Sequence, residues 1–326
     1  MKTPNRTAVQ EFILLGFTLG KQGHRHLLLI VFSAIYIISL VENLIIITVV
    51  LLDARLTRLP MYVLLGNFSW LEVCYISATV PRMLSDLASP YGVISFGACF
   101  LQFYIFFSLG NTEGFFLAAM ALDRYLAICH PLRYPLLMSH QFCLILMASC
   151  WVVGFLWYAL PVFWVSRLSY CGPNVIDHFM CDSGPLLALA CSSLEHMQTL
   201  YNIFLSAGIL GSFLIVLISY ALVVLALLKM PNHDRRLKGF STVSSHVTVV
   251  TLFYGSVAAM YLGQGWKDQV VVGKVVTLFY TAITPLLNPL IYCLRNEGMK
   301  EALGRGHRTN EQISHPVHGE GTKLSM

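Results

Sequence analysis

The sequence predicts an all-α membrane protein, a seven-transmembrane helix bundle with a short amphipathic C-terminal helix. Three observations predict it. Charged residues make up only 11% of the 326 residues and hydrophobic ones 56%, whereas soluble domains carry roughly 25% charged residues. Mean hydropathy is +0.69. Seven apolar runs also reach the ~20 residues that a helix needs to cross a bilayer.

The runs follow in order. The first, 26–52, holds one acid, Glu42; the second, 59–81, holds Glu72; the third, 87–122, holds Glu113. The other four, 141–166, 197–228, 239–266 and 275–294, contain no Asp, Glu, Lys or Arg. None alternates with period two, and barrel strands need only about 10 residues. Helices therefore remain as the way to satisfy the backbone in lipid. The expected organisation is an extracellular segment 1–25, a bundle 26–294 and a cytoplasmic tail 295–326.

Charge orients the bundle. Basic residues exceed acidic ones most on the side holding 53–58, 229–238 and the C-terminus, so the positive-inside tendency places the N-terminus outside. The net charge of +5 thus reads as topology. The basic residues are dispersed, which argues against a nucleic-acid partner; membrane lipid is the expected surround. Asn5-Arg6-Thr7 is a glycosylation sequon in the outer segment. Asn67-Phe68-Ser69 fits the same pattern but falls inside a span. The apolar run from Phe12 to Phe17 is too short for a cleavable signal peptide, so the first span is expected to direct insertion. The terminal KLSM lacks the cysteine that prenylation requires.

The cysteines divide by compartment. Cys99, Cys171, Cys181 and Cys191 fall on the outer side, where disulfides persist, and spacing alone leaves their three pairings open. Cys74, Cys129, Cys143, Cys150 and Cys293 fall in spans or at the inner face and are expected to stay reduced. Asp123-Arg124-Tyr125 ends the third span at the inner face. A boundary arginine can be a snorkelling anchor or a switch that leaves Asp123 when a partner docks.

Five stretches carry a specific resemblance. They are MALDRYLAICHPLRYP (Met120 to Pro135), PMYVLLGNFSWLE (Pro60 to Glu72), SYCGPNVIDHFMCDSGPLLALACSS (Ser169 to Ser193), KGFSTVSSHVTVV (Lys238 to Val250) and PLLNPLIYCLRN (Pro285 to Asn296). In order along nearly the whole chain, they resemble the olfactory receptors, which are rhodopsin-like G-protein-coupled receptors. The resemblance implies a seven-helix odorant receptor at the plasma membrane. It would bind a small-molecule odorant and activate a stimulatory, olfactory-type G protein to raise cyclic AMP. Use of such a receptor outside olfaction stays open.

Residue roles follow from the resemblance. It pairs Cys99 with Cys181 and Cys171 with Cys191. Asp123, Arg124 and Tyr125 match the G-protein switch; Tyr220, Asn288, Pro289 and Tyr292 match residues that rearrange on activation. Pro289 also has a direct physical role, since a mid-helix proline removes a backbone bond and kinks the helix. Glu72 and Glu113 match two acids around a sodium ion, the one cofactor implied. Phe106 precedes Arg124 by 18 residues, about 27 Å along a helix, so it lies in the outer half. With Phe107, Gly110 and Asn111 it forms the odorant-facing stripe of the third helix. Facing positions would be Phe204 and Gly208 on the fifth, Tyr254, Val257, Ala258 and Tyr261 on the sixth, and Leu278 and Thr281 on the seventh. The set is mostly apolar and has no acid at position 106. It predicts a neutral, largely apolar ligand held by shape and one or two hydrogen bonds.

Three departures from the family pattern stand out: Val243 for a frequent cysteine, Gly239 for the usual alanine, and Glu42 for a frequent glycine. None touches the switch. The sixth helix carries Phe253-Tyr254-Gly255 in place of the tryptophan–proline pair of other rhodopsin-like receptors. Enzyme chemistry finds no support: no Cys-x-x-Cys pair or phosphate-binding glycine loop occurs, and Ser244, Ser245 and His246 are sequence neighbours that point apart on a helix. A transporter would show paired repeats and a channel a polar-lined pore; neither is seen.

Overall fold

The computed structural model describes residues 9–17, 22–89, 92–170, 173–191, 195–262, 269–295 and 298–304. Long helices are α1 (Gln22–Leu52), α2 (Pro60–Ala88), α3 (Phe96–Cys129), α5 (His140–Ser166), α7 (Glu195–Leu228) and α8 (His233–Leu262). The seventh span is composite: α9 (Gln269–Leu278), a π segment Phe279–Ile283, then α10 (Thr284–Arg295). Short helices α4 (Tyr134–Leu137) and α6 (Ser183–Ala188) lie in connections. All seven spans are long and apolar enough to cross a membrane. Residues 298–304 are also helical, with Met299 and Ala302 buried and Lys300 and Glu301 exposed. That is a short amphipathic helix after the last span.

The outside of the bundle is apolar and part of its inside is polar, unlike a water-soluble protein. Leu52, Leu51, Leu156 and Ile30 are largely exposed on the bundle's outside, while Asn43, Glu72, Glu113, Asp123 and Asn288 are buried inside. Lipid is the solvent for the first set, and polar groups within a membrane face the bundle interior.

Local chemistry explains the helix ends. Pro60 opens α2, where its missing N–H costs nothing. Ser95 Oγ caps α3 by accepting from Ala98 N–H at 3.3 Å, and Ser139 Oγ caps α5 by accepting from Phe142 N–H at 3.3 Å. At the end of α2, the Arg25 guanidinium donates to the carbonyls of Asp86, Leu87 and Ser89.

The seventh span bends where its prolines fall. Pro289 has no N–H for the carbonyl of Pro285, and Asn43 Nδ2 of α1 donates to that oxygen at 3.3 Å. One turn earlier, Pro285 removes another donor, and Thr284 N–H bonds back to Phe279 O in the wider π pattern. Asn43→Ala would leave the buried Pro285 carbonyl unsatisfied, at a cost of about 1–3 kcal/mol. A clearly lowered thermal midpoint of the detergent-solubilised protein is the expected result; an unchanged midpoint would refute the bridge.

Several boundaries differ from the sequence reading, two of them in ways that matter. The third run, 87–122, merges the end of α2 with α3, because composition cannot see that one helix ends at Ala88 and the next begins at Phe96. In addition, Asp123, Arg124 and Tyr125 do not end their helix: α3 continues to Cys129. A three-stranded sheet is the element that apolar run lengths do not reveal. It forms at the end of the bundle bearing the disulfide, called the outer end. Strand β1 (Glu11–Leu14) pairs antiparallel with β2 (Gly92–Ser95) and parallel with β3 (Val175–Ile176). Phe12, Leu14, Ile94 and Ile176 point inward and are buried, as the two-residue period of a strand requires. They join Phe100, Phe103 and Tyr158 in one apolar cluster.

Candidate functional site

A cavity of about 600 Å3 lies under this sheet, within the 300–1,000 Å3 range of ligand pockets. One wall is the α3 stripe Phe106, Phe107, Gly110, Asn111 and Gly114, with Tyr75 of α2 and Trp157 and Tyr158 of α5 beside it. Opposite are Tyr201, Leu205, Ile209 and Ser212 of α7, Phe253, Val257 and Met260 of α8, and Tyr280. The outer loop closes the top through Val175, Asp177, His178, Asp182 and Leu187.

Of the positions expected to face a ligand, Phe106, Phe107, Gly110, Asn111 and Val257 line this cavity together. The others do not. Phe204 packs against Trp157 with ring centres 4.7 Å apart and tilted. Gly208 is buried behind the wall, against the Trp157 indole and Asn111. Tyr254 is buried one layer down, donating to Ser212 Oγ at 2.9 Å. Ala258 is exposed, Leu278 is half-buried in the main apolar core, and Thr281 is buried and donates to Leu278 O at 3.4 Å. The side chain of Tyr261 lies outside the described residues. The reason is rotational: one residue turns a helix face by about 100°, so on α7 the lining stripe is 205, 209 and 212.

The loop residues reach the cavity because Cys99, at the start of α3, is bonded to Cys181. Cys191 is disulfide-bonded too, and Cys171 and Asn5 lie outside the described residues. Cys74, Cys129, Cys143 and Cys150 are free thiols. Lys274 of α9 ties the roof down. Its Nζ donates to Asp177 Oδ1 at 2.6 Å and to Gly16 O at 2.8 Å. Gly16 sits at φ +58°, where L side chains are strained.

His178 is buried in the roof. Its ring stacks on Phe179 at 4.5 Å, and Met180 N–H donates to its Nδ1 at 3.3 Å. Burial holds its pKa below the ordinary 6.5; Asp182 and Asp177 pull it up, and Lys274 pushes it down. An unfolded chain therefore takes a proton near pH 6.5 that the folded one refuses. Stability is full above pH 6.5 and falls as pH drops towards the lower folded value. His178→Phe should flatten that acid limb of the thermal midpoint; an unchanged acid limb would count against it.

At the inner end, Arg124 Nη2 bonds Asp123 Oδ2 at 2.7 Å. Tyr134 of α4 donates to Asp123 Oδ1 at 2.6 Å. Burial first, then the charge of Asp123, raises the Tyr134 pKa, which keeps the phenol a donor. Tyr125 faces away, with its hydroxyl 3.1 Å from His130 Nε2. Further in, His246 lies between Tyr220 and Tyr292, at ring-centre distances of 6.3 and 5.5 Å. The Tyr220 and Tyr292 hydroxyls and His246 Nδ1 are buried without partners among the described residues. Asn288 Nδ2 donates to Glu72 Oε1. Glu72 Oε2, Glu113 Oε1 and Asn288 Oδ1 are likewise buried and unpartnered. Among the described residues, no three His, Cys, Asp or Glu side chains gather as metal ligands. Of the switch residues expected from the sequence, Asp123 pairs with Arg124 and Tyr220 and Tyr292 flank His246, while Asn288 bonds Glu72 and Tyr125 bonds His130. Tyr134 and His246 take part as well; both lie in the stretches that carry the resemblance, but the resemblance assigns neither a switch role.

Comparison with known proteins agrees with this geometry. The family model described as "Olfactory receptor" matches residues 32–307. Olfactory receptor 11H6 of Homo sapiens is 52% identical, over 92% of this chain and 91% of the relative. Olfactory receptor 11G2 of Homo sapiens is 49% identical, over 92% and 86%. The crystal structure of squid rhodopsin superposes with a TM-score of 0.70 at 19% identity, covering 93% of this chain and 90% of that one, which shows a shared fold. The chain is a multi-pass membrane protein that belongs to the olfactory receptor family.

Proposed function

We propose that this chain is an odorant receptor of the plasma membrane, with its N-terminus outside. It binds small, mostly apolar volatile ligands in the outer cavity and activates a stimulatory G protein to raise cyclic AMP. The observation that carries this reading is that one rigid helix, α3, supplies both the cavity wall from Phe106 to Asn111 and the held arginine, Arg124. A ligand shifts the bundle only by its differential affinity for two states. The unpartnered polar groups of Tyr220, His246 and Tyr292 gain most from a rearrangement, because native proteins satisfy buried polar groups. Release of Arg124 from Asp123 would then offer it to acceptors on a docked partner.

A sodium ion fits the same reading. Unpartnered oxygens on Glu72, Glu113 and Asn288 are hard ligands of the kind such a cation takes. Glu72 and Glu113 would hold it, and it would supply a positive charge between buried carboxyls. The receptor reading is tested by cyclic AMP in cells that display the chain with an olfactory-type G protein, across a panel of neutral volatiles. A dose-dependent rise is expected; silence across the panel, with surface display verified, contradicts it.

A further inference from the structure

Most polar groups around the outer cavity already have partners. Lys274 holds Asp177, and Ser183 Oγ donates to Asp182 Oδ1 at 3.1 Å. The Tyr158 and Tyr201 hydroxyls bond each other at 3.0 Å, and Trp157 Nε1 donates to Phe204 O at 3.3 Å. Two lining side chains with buried polar atoms differ. Asn111 Nδ2 and His178 Nε2 are buried nitrogens with no partner among the described residues.

Both are donors. Asn111 Nδ2 is an amide NH2. For His178, Met180 N–H already points at Nδ1, so Nδ1 presents its lone pair and the neutral ring carries its proton on Nε2. The ring is 4% exposed, so that N–H has no access to bulk water. A buried donor left unmet is costly, and here one stands on the α3 wall and the other in the roof.

We propose that the cavity selects a neutral ligand bearing hydrogen-bond acceptors, a ketone, aldehyde or ester. His178 Nε2–H from the roof and Asn111 Nδ2 from α3 are the donors that recognise it. The ligand class rests on the receptor reading above. The alternatives fit worse. An alkane leaves both donors unmet. An ammonium could pair with Asp182 but leaves both donors unmet. A carboxylate would lie beside Asp177 and Asp182, and no lysine or arginine among the described residues lines the cavity. The ligand's apolar remainder packs on Phe106, Phe107 and Val257.

The test is ligand-dependent thermal stabilisation of the purified full chain in detergent, a readout that needs no G protein. The probes are octan-2-one, octane, octylamine and octanoate. The ketone should act at about tenfold lower concentration than octane, the worth of a hydrogen bond to a buried donor. His178→Phe keeps the stacking on Phe179 and should bring the ketone close to octane. Asn111→Leu should do the same in part. His178→Gln retains an amide donor and should recover most of the preference, which separates donation from loss of fold. Equal shifts for ketone and octane in the natural sequence, or none from either, overturn the proposal. So does a larger shift from octylamine or octanoate, or an undiminished ketone preference in His178→Phe. Absent cyclic AMP signalling alongside an intact ketone preference would strike the receptor reading and leave the donor pair standing. Signalling without that preference would do the reverse.

Discussion

Cys181→Ser is expected to remove nearly all receptor from the cell surface. Cys99 and Cys181 are both fully buried and lie 82 residues apart. Opening a closed loop of that size costs about 2–5 kcal/mol, against a total stability of roughly 5–15 kcal/mol for a domain. The loss is concentrated on one structure. The loop carries β3, Asp177 and His178, so its release undoes the parallel pairing with β1, the Lys274 clasp and the cavity roof together. A serine hydroxyl would also be buried in the apolar cluster of Phe100 and Phe103. Surface immunolabelling on intact cells reads the outcome. Normal surface density with a normal ligand response would contradict the account of the roof.

The second large effect is expected from Gly154→Val. Gly154 of α5 faces α3 so closely that a Cβ would fall on Thr112 Oγ1 and lie 2.9 Å from Thr112 Cα. The second clash is with backbone, so no rotamer change relieves it and the two helices must part. Overpacking of this kind costs about 3 kcal/mol. It acts one residue from Asn111, so ligand affinity should fall with stability. Thr112→Ala should not rescue it, because the clash with the backbone of residue 112 remains. Gly239 offers the contrast: there an added Cβ meets only the end of the Leu227 side chain, which can turn aside. A Gly154→Val protein with the thermal midpoint of the natural sequence would show that the helices are not so tightly seated.

The spans and the Asp123–Arg124 pair were legible in the sequence because each leaves a dense signal. Seven runs poor in charge can only be membrane helices. Asp123 and Arg124 are neighbours whose pairing survives any small error in helix end. The cavity was legible on α3 and less so elsewhere. On α7, apolar residues surround the helix, so no amphipathic stripe selects a face; Phe204 and Gly208 are expected there, while Leu205 and Ile209 line the cavity. The sheet was not legible, since strands of two to four residues carry too little alternation to register. The polar roof depends on bonds between distant segments, Lys274 with Asp177 and Gly16, which local pattern cannot show. The bond from Tyr134 to Asp123 likewise joins separate elements.

On the proposed reading, ligand in the outer cavity is read out through Arg124 at the inner end. The most direct measurement compares cyclic AMP dose–response curves for the natural sequence and Arg124→Ala at matched surface density, with an olfactory-type G protein and a neutral ketone as ligand. A saturable rise is expected in the natural sequence and its loss in Arg124→Ala, with ligand-dependent stabilisation of the purified variant retained. A full response from Arg124→Ala would contradict it.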